Sequence, residues 1–419
     1  MINQITGTTV SRILITISGL GVLMLNTRYL GAEKIGVLAV YLIYINLVLH
    51  LSEIVGGSSM VYLQKKYASK GILSFSYLWA LTISLFALFI FSYFSMIDES
   101  IMLLVLISGF VQAMSHANLH LLVGKEKIRA YNQTTFLGAI IILIGLSLSY
   151  LQFEMISVRQ FLVIYTISQI TTFITSLYFL SHDLINETKT SPIQSMYKEL
   201  FNYGLVIQLA NLFQFGVYRS NYLVLEHFSS ASILGVYSIG NQVGEKALIP
   251  GNAVSLVQYS TISNSDDLEY SVKLTIQLSN LNTLLSIGSF TALLCIPADW
   301  LSYILGPDFT QIKSILFYLA PGIVFLSISS VFSHFFAGLG KYSINTKISG
   351  LGFISILIFS YLLIPTYGIE GAAISASIVY LVQLITNVLV FKKISNLNWD
   401  KIFNIFIRTF QKYSIKNLK

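Results

Sequence analysis

Apolar residues run in long blocks along this chain, and polar residues gather in short gaps between them. The blocks fall at about 7–28, 36–57, 72–96, 101–123, 131–151, 160–180, 199–224, 232–258, 274–297, 312–337, 344–364 and 369–391. Crossing a hydrocarbon layer about 30 Å thick takes a helix of roughly 20 residues, which each block can supply. Lipid offers no partner to a bare N–H or C=O, so the backbone must satisfy itself within each segment, as a helix does. The pattern therefore predicts an all-α polytopic membrane protein with twelve transmembrane helices. The gaps leave no room for a soluble catalytic domain, so the chain is not expected to be an enzyme.

Composition agrees with the pattern. Of 419 residues, 55% are hydrophobic and 10% charged, too few charges to coat a soluble protein of this size. The first block does not read as a cleavable signal peptide. Arg12 interrupts it, no small-x-small cleavage site follows, and the chain runs straight into further spans. The single cysteine, Cys295, permits no intramolecular disulfide and no cysteine-based metal site, and no cofactor is expected.

The net charge of +7 is unevenly spread. Of the 25 Lys and Arg, 18 fall in the even-numbered loops and the C-terminal stretch, and only Arg28, Lys34, Arg159 and Lys313 fall on the odd-numbered side. Short loops rich in Lys and Arg stay in the cytoplasm. Both termini are thus expected there, which requires an even number of spans. The basic charge reads as a topology signal, and no nucleic-acid partner is expected. The stretch 392–419 sets Trp399, Phe403, Phe406, Phe410 and Tyr413 at helical spacing among basic residues. It reads as a basic amphipathic tail on the inner leaflet, or as a helix that docks a partner.

The chain also reads as a duplication. Gly124-Lys125 follows span 4 and Gly340-Lys341 follows span 10, with Asn132 and Asn345 opening the next spans. Gly36 ahead of span 2 has a counterpart in Gly235 ahead of span 8. The expected units are an N-terminal six-helix bundle over 1–190, a C-terminal six-helix bundle over 191–391, and the tail. Six spans per half put both halves the same way up, with a site expected between them near the midplane.

Four charges interrupt predicted spans: Arg12, Arg219, Glu245 and Lys246. A charge at mid-helix costs about 2.5–3.5 kcal/mol on insertion scales, less where it faces water or a partner. A wet cavity would relieve that cost, and a guanidinium suits phosphate because its planar fork grips two oxygens at once. Arg12, Arg219 and Lys246 are the substrate-binding candidates, against snorkelling to headgroups for the arginines and helix–helix pairing for Lys246. Glu245 is the candidate ion-coupling residue. Because neighbours sit about 100° apart on a helix, Glu245 and Lys246 need not face one another.

His116 and His120 stand at i, i+4 on span 4 and join the candidate list as polar lining of a cavity mouth. The spacing suits a metal, but the sequence puts no acid near them and His-Glu-x-x-His is absent, so no metal site is expected. His50, Glu53 and His334 lie on the inner halves of their spans, and Glu53, just before Gly56-Gly57, reads as an ordinary interface residue. No Gly-x-x-x-x-Gly-Lys-Ser/Thr loop occurs, so the chain is not expected to hydrolyse ATP.

Several stretches resemble the bacterial O-antigen and polysaccharide flippases of the multidrug/oligosaccharidyl-lipid/polysaccharide exporter superfamily. They are Leu305-Gly306-Pro307-Asp308-Phe309, Phe336-Ala337-Gly338-Leu339-Gly340-Lys341, and Leu363-Ile364-Pro365-Thr366-Tyr367-Gly368-Ile369-Glu370-Gly371-Ala372-Ala373. Arg28-Tyr29-Leu30-Gly31 and Val236-Tyr237-Ser238-Ile239-Gly240-Asn241-Gln242 add to them. This chain departs from the family in having Tyr218 where an acid often precedes the span-7 arginine, and Tyr259 where a proline often stands. The resemblance implies two six-helix bundles around a central cavity, working by alternating access. It implies flipping of a polyprenyl-diphosphate-linked oligosaccharide, such as an O-antigen unit, to the outer leaflet of a bacterial inner membrane. A glycan polymerase, a chain-length regulator, membrane lipids and H+ or Na+ are the partners it implies. A cation- or drug-exporting antiporter of the same superfamily is the alternative, though that chemistry prefers carboxylates and here the embedded cations outnumber the acids. A glycan polymerase or ligase would need a larger outer loop than the roughly fifteen residues around Asp299 and Asp308.

Overall fold

The computed structural model describes residues 2–153, 156–187, 193–398 and 400. Most of the predicted tail lies outside these residues. The described chain is helical from end to end, without a strand. The helices are α1 (Ile2–Gly56), α2 (Ser59–Leu63), α3 (Ser69–Tyr93), α4 (Glu99–Gly124), α5 (Ile128–Ser147), α6 (Val158–Asn186) and α7 (Ile193–Phe228). They continue as α8 (Ala231–Glu245), α9 (Ile249–Ser263), α10 (Leu268–Cys295), α11 (Ala298–Leu305), α12 (Ile312–Gly338) and α13 (Tyr342–Ser395).

Local chemistry sets many of the boundaries. Asp98, Ser157, Ser230 and Asp267 cap the starts of α4, α6, α8 and α10, each accepting a backbone N–H from two or three residues on. Such caps satisfy donors that the first helical turn leaves orphaned. Inside the helices, hydroxyls are returned to the backbone: Ser52 donates to the Val48 carbonyl at 2.7 Å and Ser84 to Ala80 at 2.8 Å. That disposal lets serine and threonine sit in apolar segments without a bare polar group.

Nine described helices are long and apolar enough to cross a membrane. Two of them, α1 and α13, have 55 and 54 residues. At about 1.5 Å per residue each would measure roughly 80 Å, far more than one crossing needs. Each is broken once, at Gly31 (φ 74°) and at Gly368 (φ 55°), backbone settings that cost a side chain dearly and glycine little. The segment 231–263 is too interrupted to count as one long helix, because a 3-10 turn at Lys246–Leu248 separates α8 from α9. Pro250 accounts for this turn. It cannot donate to the Lys246 carbonyl four residues back, and the Ile249 N–H takes that acceptor instead. Counting two crossings for each broken helix and one for 231–263, the described helices cover all twelve predicted segments.

The outward faces are apolar, as a multi-pass membrane protein requires. Phe89 is 67% exposed and Leu362 63%, whereas a soluble protein hides contiguous residues of this kind. Chain packing divides the molecule into two compact units, one reaching to Leu212 and the other starting at Phe213. The boundary falls inside α7, whose first half packs into the first unit. There Tyr197 stacks on Phe75 at 4.0 Å, and Phe201 meets Trp79 edge-on at 5.6 Å. The first unit has a core around Tyr67, Ile72, Leu121, Leu122 and Leu200. The second has one around Ile262, Phe332, Phe335, Phe336 and Phe391.

Candidate functional site

Polar side chains converge at one place in each unit. In the second unit the helix break at Lys246 organises the site. α8 ends on Glu245, whose side chain turns toward α7. Arg219 Nη1 donates to Glu245 Oε1 at 3.0 Å and Nη2 to Oε2 at 3.4 Å, a two-point grip matching the guanidinium fork to the carboxylate. Arg219 Nη1 also donates to the Tyr222 hydroxyl at 3.1 Å, with the guanidinium carbon 5.2 Å from that ring. Asn241 Nδ2 donates to Glu245 Oε1 at 2.9 Å and to the Tyr222 hydroxyl at 3.2 Å.

Buried bonds hold this constellation in place. Asn221, two residues beyond Arg219, donates to the Ala372 carbonyl at 2.8 Å and to the Tyr237 hydroxyl at 3.1 Å, and accepts from Ser360. Tyr237 in turn donates to Ala372 at 3.3 Å. α7, α8 and α13 are thereby tied together one turn from the ion pair. The Tyr218 ring packs edge-on against Tyr380 at 6.2 Å. Where the flippases often carry an acid before the arginine, this chain carries an aromatic residue, and Glu245 from the next segment supplies the carboxylate.

In the first unit the focus is Glu53, near the C-terminal end of α1. His50 Nδ1 lies 3.3 Å from Glu53 Oε2, His116 Nδ1 3.2 Å from Oε1, and His120 Nε2 3.6 Å from Oε1. Gln208 from α7 donates to Oε2 at 3.1 Å and is itself oriented by Asn211, which donates to its side-chain oxygen at 3.0 Å. Beneath the cluster, Asn118 Nδ2 donates to Ser176 at 2.9 Å while its oxygen accepts from Tyr77. The Trp79 indole donates to the Leu51 carbonyl at 3.1 Å.

Of the predicted site residues, the structure joins Arg219 with Glu245, and His116 with His120. Glu245 and Lys246, though adjacent, diverge: Glu245 meets Arg219, while Lys246 is exposed in the turn. Arg12 is exposed on α1 beside the exposed Ile13 and Leu14. Neither Arg12 nor Lys246 has an ion-pair partner among the described residues. Two expectations need correction. Glu53 is not an ordinary interface residue but the carboxylate around which three imidazoles gather, two of them within 3.3 Å and the third at 3.6 Å. His116 and His120 do have an acid beside them, delivered by α1 from 63 positions away along the chain. Among the described residues, even so, no group of three or more His, Cys, Asp or Glu is arranged to hold a metal ion. The signal for Glu53 was its i, i+3 spacing from His50; the meeting of α1 with α4 was not visible in the sequence.

This is the fold of the multidrug and lipid-flipping transporters of the MOP superfamily. The chain superposes on an inward-facing MATE-family multidrug resistance transporter with a TM-score of 0.71, over 96% of each chain at 15% identity. It superposes on the lipid II flippase MurJ, in an inward closed conformation, with a TM-score of 0.71 over 98% of this chain and 91% of that one, at 16% identity. In sequence, 176 residues are 28% identical to the capsular polysaccharide biosynthesis protein CapF of Staphylococcus aureus. That match spans 41% of this chain and 44% of CapF, under half the length of this curated relative. No family model matches the chain.

Proposed function

We propose that this chain is a flippase that carries a polyprenyl-diphosphate-linked oligosaccharide, an O-antigen or capsular repeat unit, from the cytoplasmic to the outer leaflet of a bacterial inner membrane. The observation that carries the reading is the sequence relationship to a capsular polysaccharide biosynthesis protein, in a chain with the fold of a lipid II flippase. Both termini are taken as cytoplasmic on the asymmetry of Lys and Arg between loops.

The site chemistry suits such a substrate. Arg219 is a cation inside an apolar segment that is already held by two carboxylate oxygens. A diphosphate offers the same bidentate geometry with more charge, so it competes with Glu245 for the guanidinium. Lys246 stands exposed one residue away, free of any described carboxylate, and supplies a second cation to the incoming phosphates. Arg12, on the first span, meets the headgroup as it leaves the inner leaflet. Glu245 then has two states: bound to Arg219 when the carrier is empty, and released when substrate is bound. Alternating access of such a site to the two membrane faces moves the substrate without any covalent step.

The MATE-family likeness favours a second reading, export of cationic drugs in exchange for ions. Deleting the gene discriminates. The flippase reading expects loss of one surface glycan and accumulation of its lipid-linked unit in the inner leaflet, with complementation by wild type and not by Arg219→Ala. Unchanged glycans together with raised sensitivity to cationic drugs reject it in favour of the antiporter.

A further inference from the structure

We propose that His50, Glu53, His116, His120 and Gln208 form a site that binds one exchangeable proton and uses it to change the hold of the first unit on α7. As a coupling site for transport, it rests on the transporter reading above.

The geometry supplies both halves of the argument. The first is a count of charge. With all three imidazoles neutral, the cluster carries the single negative charge of Glu53. Among the described residues no lysine or arginine makes an ion contact with that carboxylate. The groups set against it are His50 on α1, His116 and His120 on α4, and the neutral Gln208 on α7, which the neutral Asn211 orients; the Trp79 indole of α3 donates to the nearby Leu51 carbonyl. One proton cancels the charge, and a second makes the cluster positive inside an apolar segment, where a lone charge is costly. The site is therefore built for one proton. Imidazole is the side chain whose charge ordinarily changes between about pH 5 and 8. The carboxylate is 13% exposed and His116 36%, so the imidazoles are the more accessible route by which a proton reaches it.

The second is a choice of partner. His50 Nδ1 lies 3.2 Å from Gln208 Nε2, a donor, and 3.3 Å from Glu53 Oε2, an acceptor. One nitrogen cannot serve both. The neutral ring with its hydrogen on Nε2 accepts from Gln208 at Nδ1 and so binds α7; the doubly protonated ring can only donate from Nδ1, to Glu53, and that bond to α7 is lost. Proton uptake thus gives up one of the two bonds from Gln208 to α1 in exchange for a bond within α1, and the bond from Gln208 to Glu53 Oε2 at 3.1 Å remains. α7 is also the helix that bears Arg219, eleven residues beyond Gln208.

Two measurements on the purified full chain test this. In the first, its histidines are labelled with carbon-13 and titrated by NMR between pH 5 and 8. The expected result is that His50, His116 and His120 respond together to one shared proton, and that Glu53→Gln, which keeps the side chain's shape, makes them titrate separately. Independent titration in the wild type, unaltered by Glu53→Gln, overturns the proton site. In the second, vesicles of bacterial lipid containing the protein are given a lipid-linked oligosaccharide and a gradient of two pH units. The gradient is expected to speed wild-type flipping about fivefold and to leave Glu53→Gln unchanged. A shared proton with flipping that ignores the gradient overturns the coupling role. A shared proton with no flipping at all leaves the proton site standing and rejects the glycan reading alone.

Discussion

Gly204 offers the sharpest test of how the first unit is packed. It lies on α7 where that helix crosses the end of α1, against the carbonyl of Ile54, the residue after Glu53. A Cβ placed on Gly204 would lie 2.8 Å from the Ile54 carbonyl carbon, closer still to its oxygen, and 3.2 Å from Ser59 Oγ. Comfortable contacts of this kind start near 3.4 Å, so the carbon contact alone is 0.6 Å short, and what it meets is backbone that has no rotamer to change. Small residues at helix crossings exist to permit such approach. Gly204→Ala must push α7 away from α1, and overpacking of this type costs about 1–3 kcal/mol. For a unit of roughly 200 residues, each kcal/mol moves the melting temperature by about 2–4 °C, giving an expected loss of about 2–12 °C. The assay is thermal unfolding of detergent-solubilised protein, followed by size-exclusion chromatography of the material that survives heating. Gly19→Ala is the control. It lies on α1 with nothing within 4 Å of its added methyl, and alanine favours the helix over glycine by about 1 kcal/mol. Equal melting of the two variants refutes the crossing described here.

Three further outcomes follow from the second unit. Arg219→Ala strands Glu245 with Asn241 as its remaining donor; since the paired side chains are 25% and 29% exposed, the pair's coupling falls between surface and buried values, about 1–3 kcal/mol. A double-mutant cycle with Glu245→Gln measures it by thermal unfolding, and a coupling near zero removes the pair as a structural latch. Gly368→Ala costs about 1–3 kcal/mol through backbone strain alone, because nothing lies within 4 Å of the added methyl; unchanged melting means the bend is not at that residue. Asn221→Leu removes the donor to Ala372 and Tyr237, which still bond each other, and takes the acceptor from the buried Ser360 hydroxyl, at about 1–3 kcal/mol. Wild-type stability in that variant shows the three-helix tie to be dispensable.

Much of the architecture was legible along the chain because lipid imposes so simple a rule. The apolar blocks coincide with the described helices, and Gly31 and Gly368, both within quoted motifs, prove to be the residues with positive φ that break the longest ones. The break between α8 and α9 was less legible. Pro250 stands in plain view in the sequence, yet its effect, a turn that swings Glu245 and Lys246 to different surroundings, depends on the local loss of one hydrogen bond. The unit boundary at Leu212 was not legible, because α7 runs unbroken through it.

The candidate residues show the same division. Segment count, the crowding of basic residues into alternate loops, and the presence of rare charges in apolar helices are properties of composition and order, so they could be read directly. Which charge meets which is a property of distance. Glu53 and His116 are 63 positions apart, Gln208 and His50 are 158 apart, and helical periodicity carries no information across such separations. The pairing of Arg219 with Glu245, and the gathering of three histidines on Glu53, arise from packing of whole helices against one another, which brings together side chains that no local rule connects.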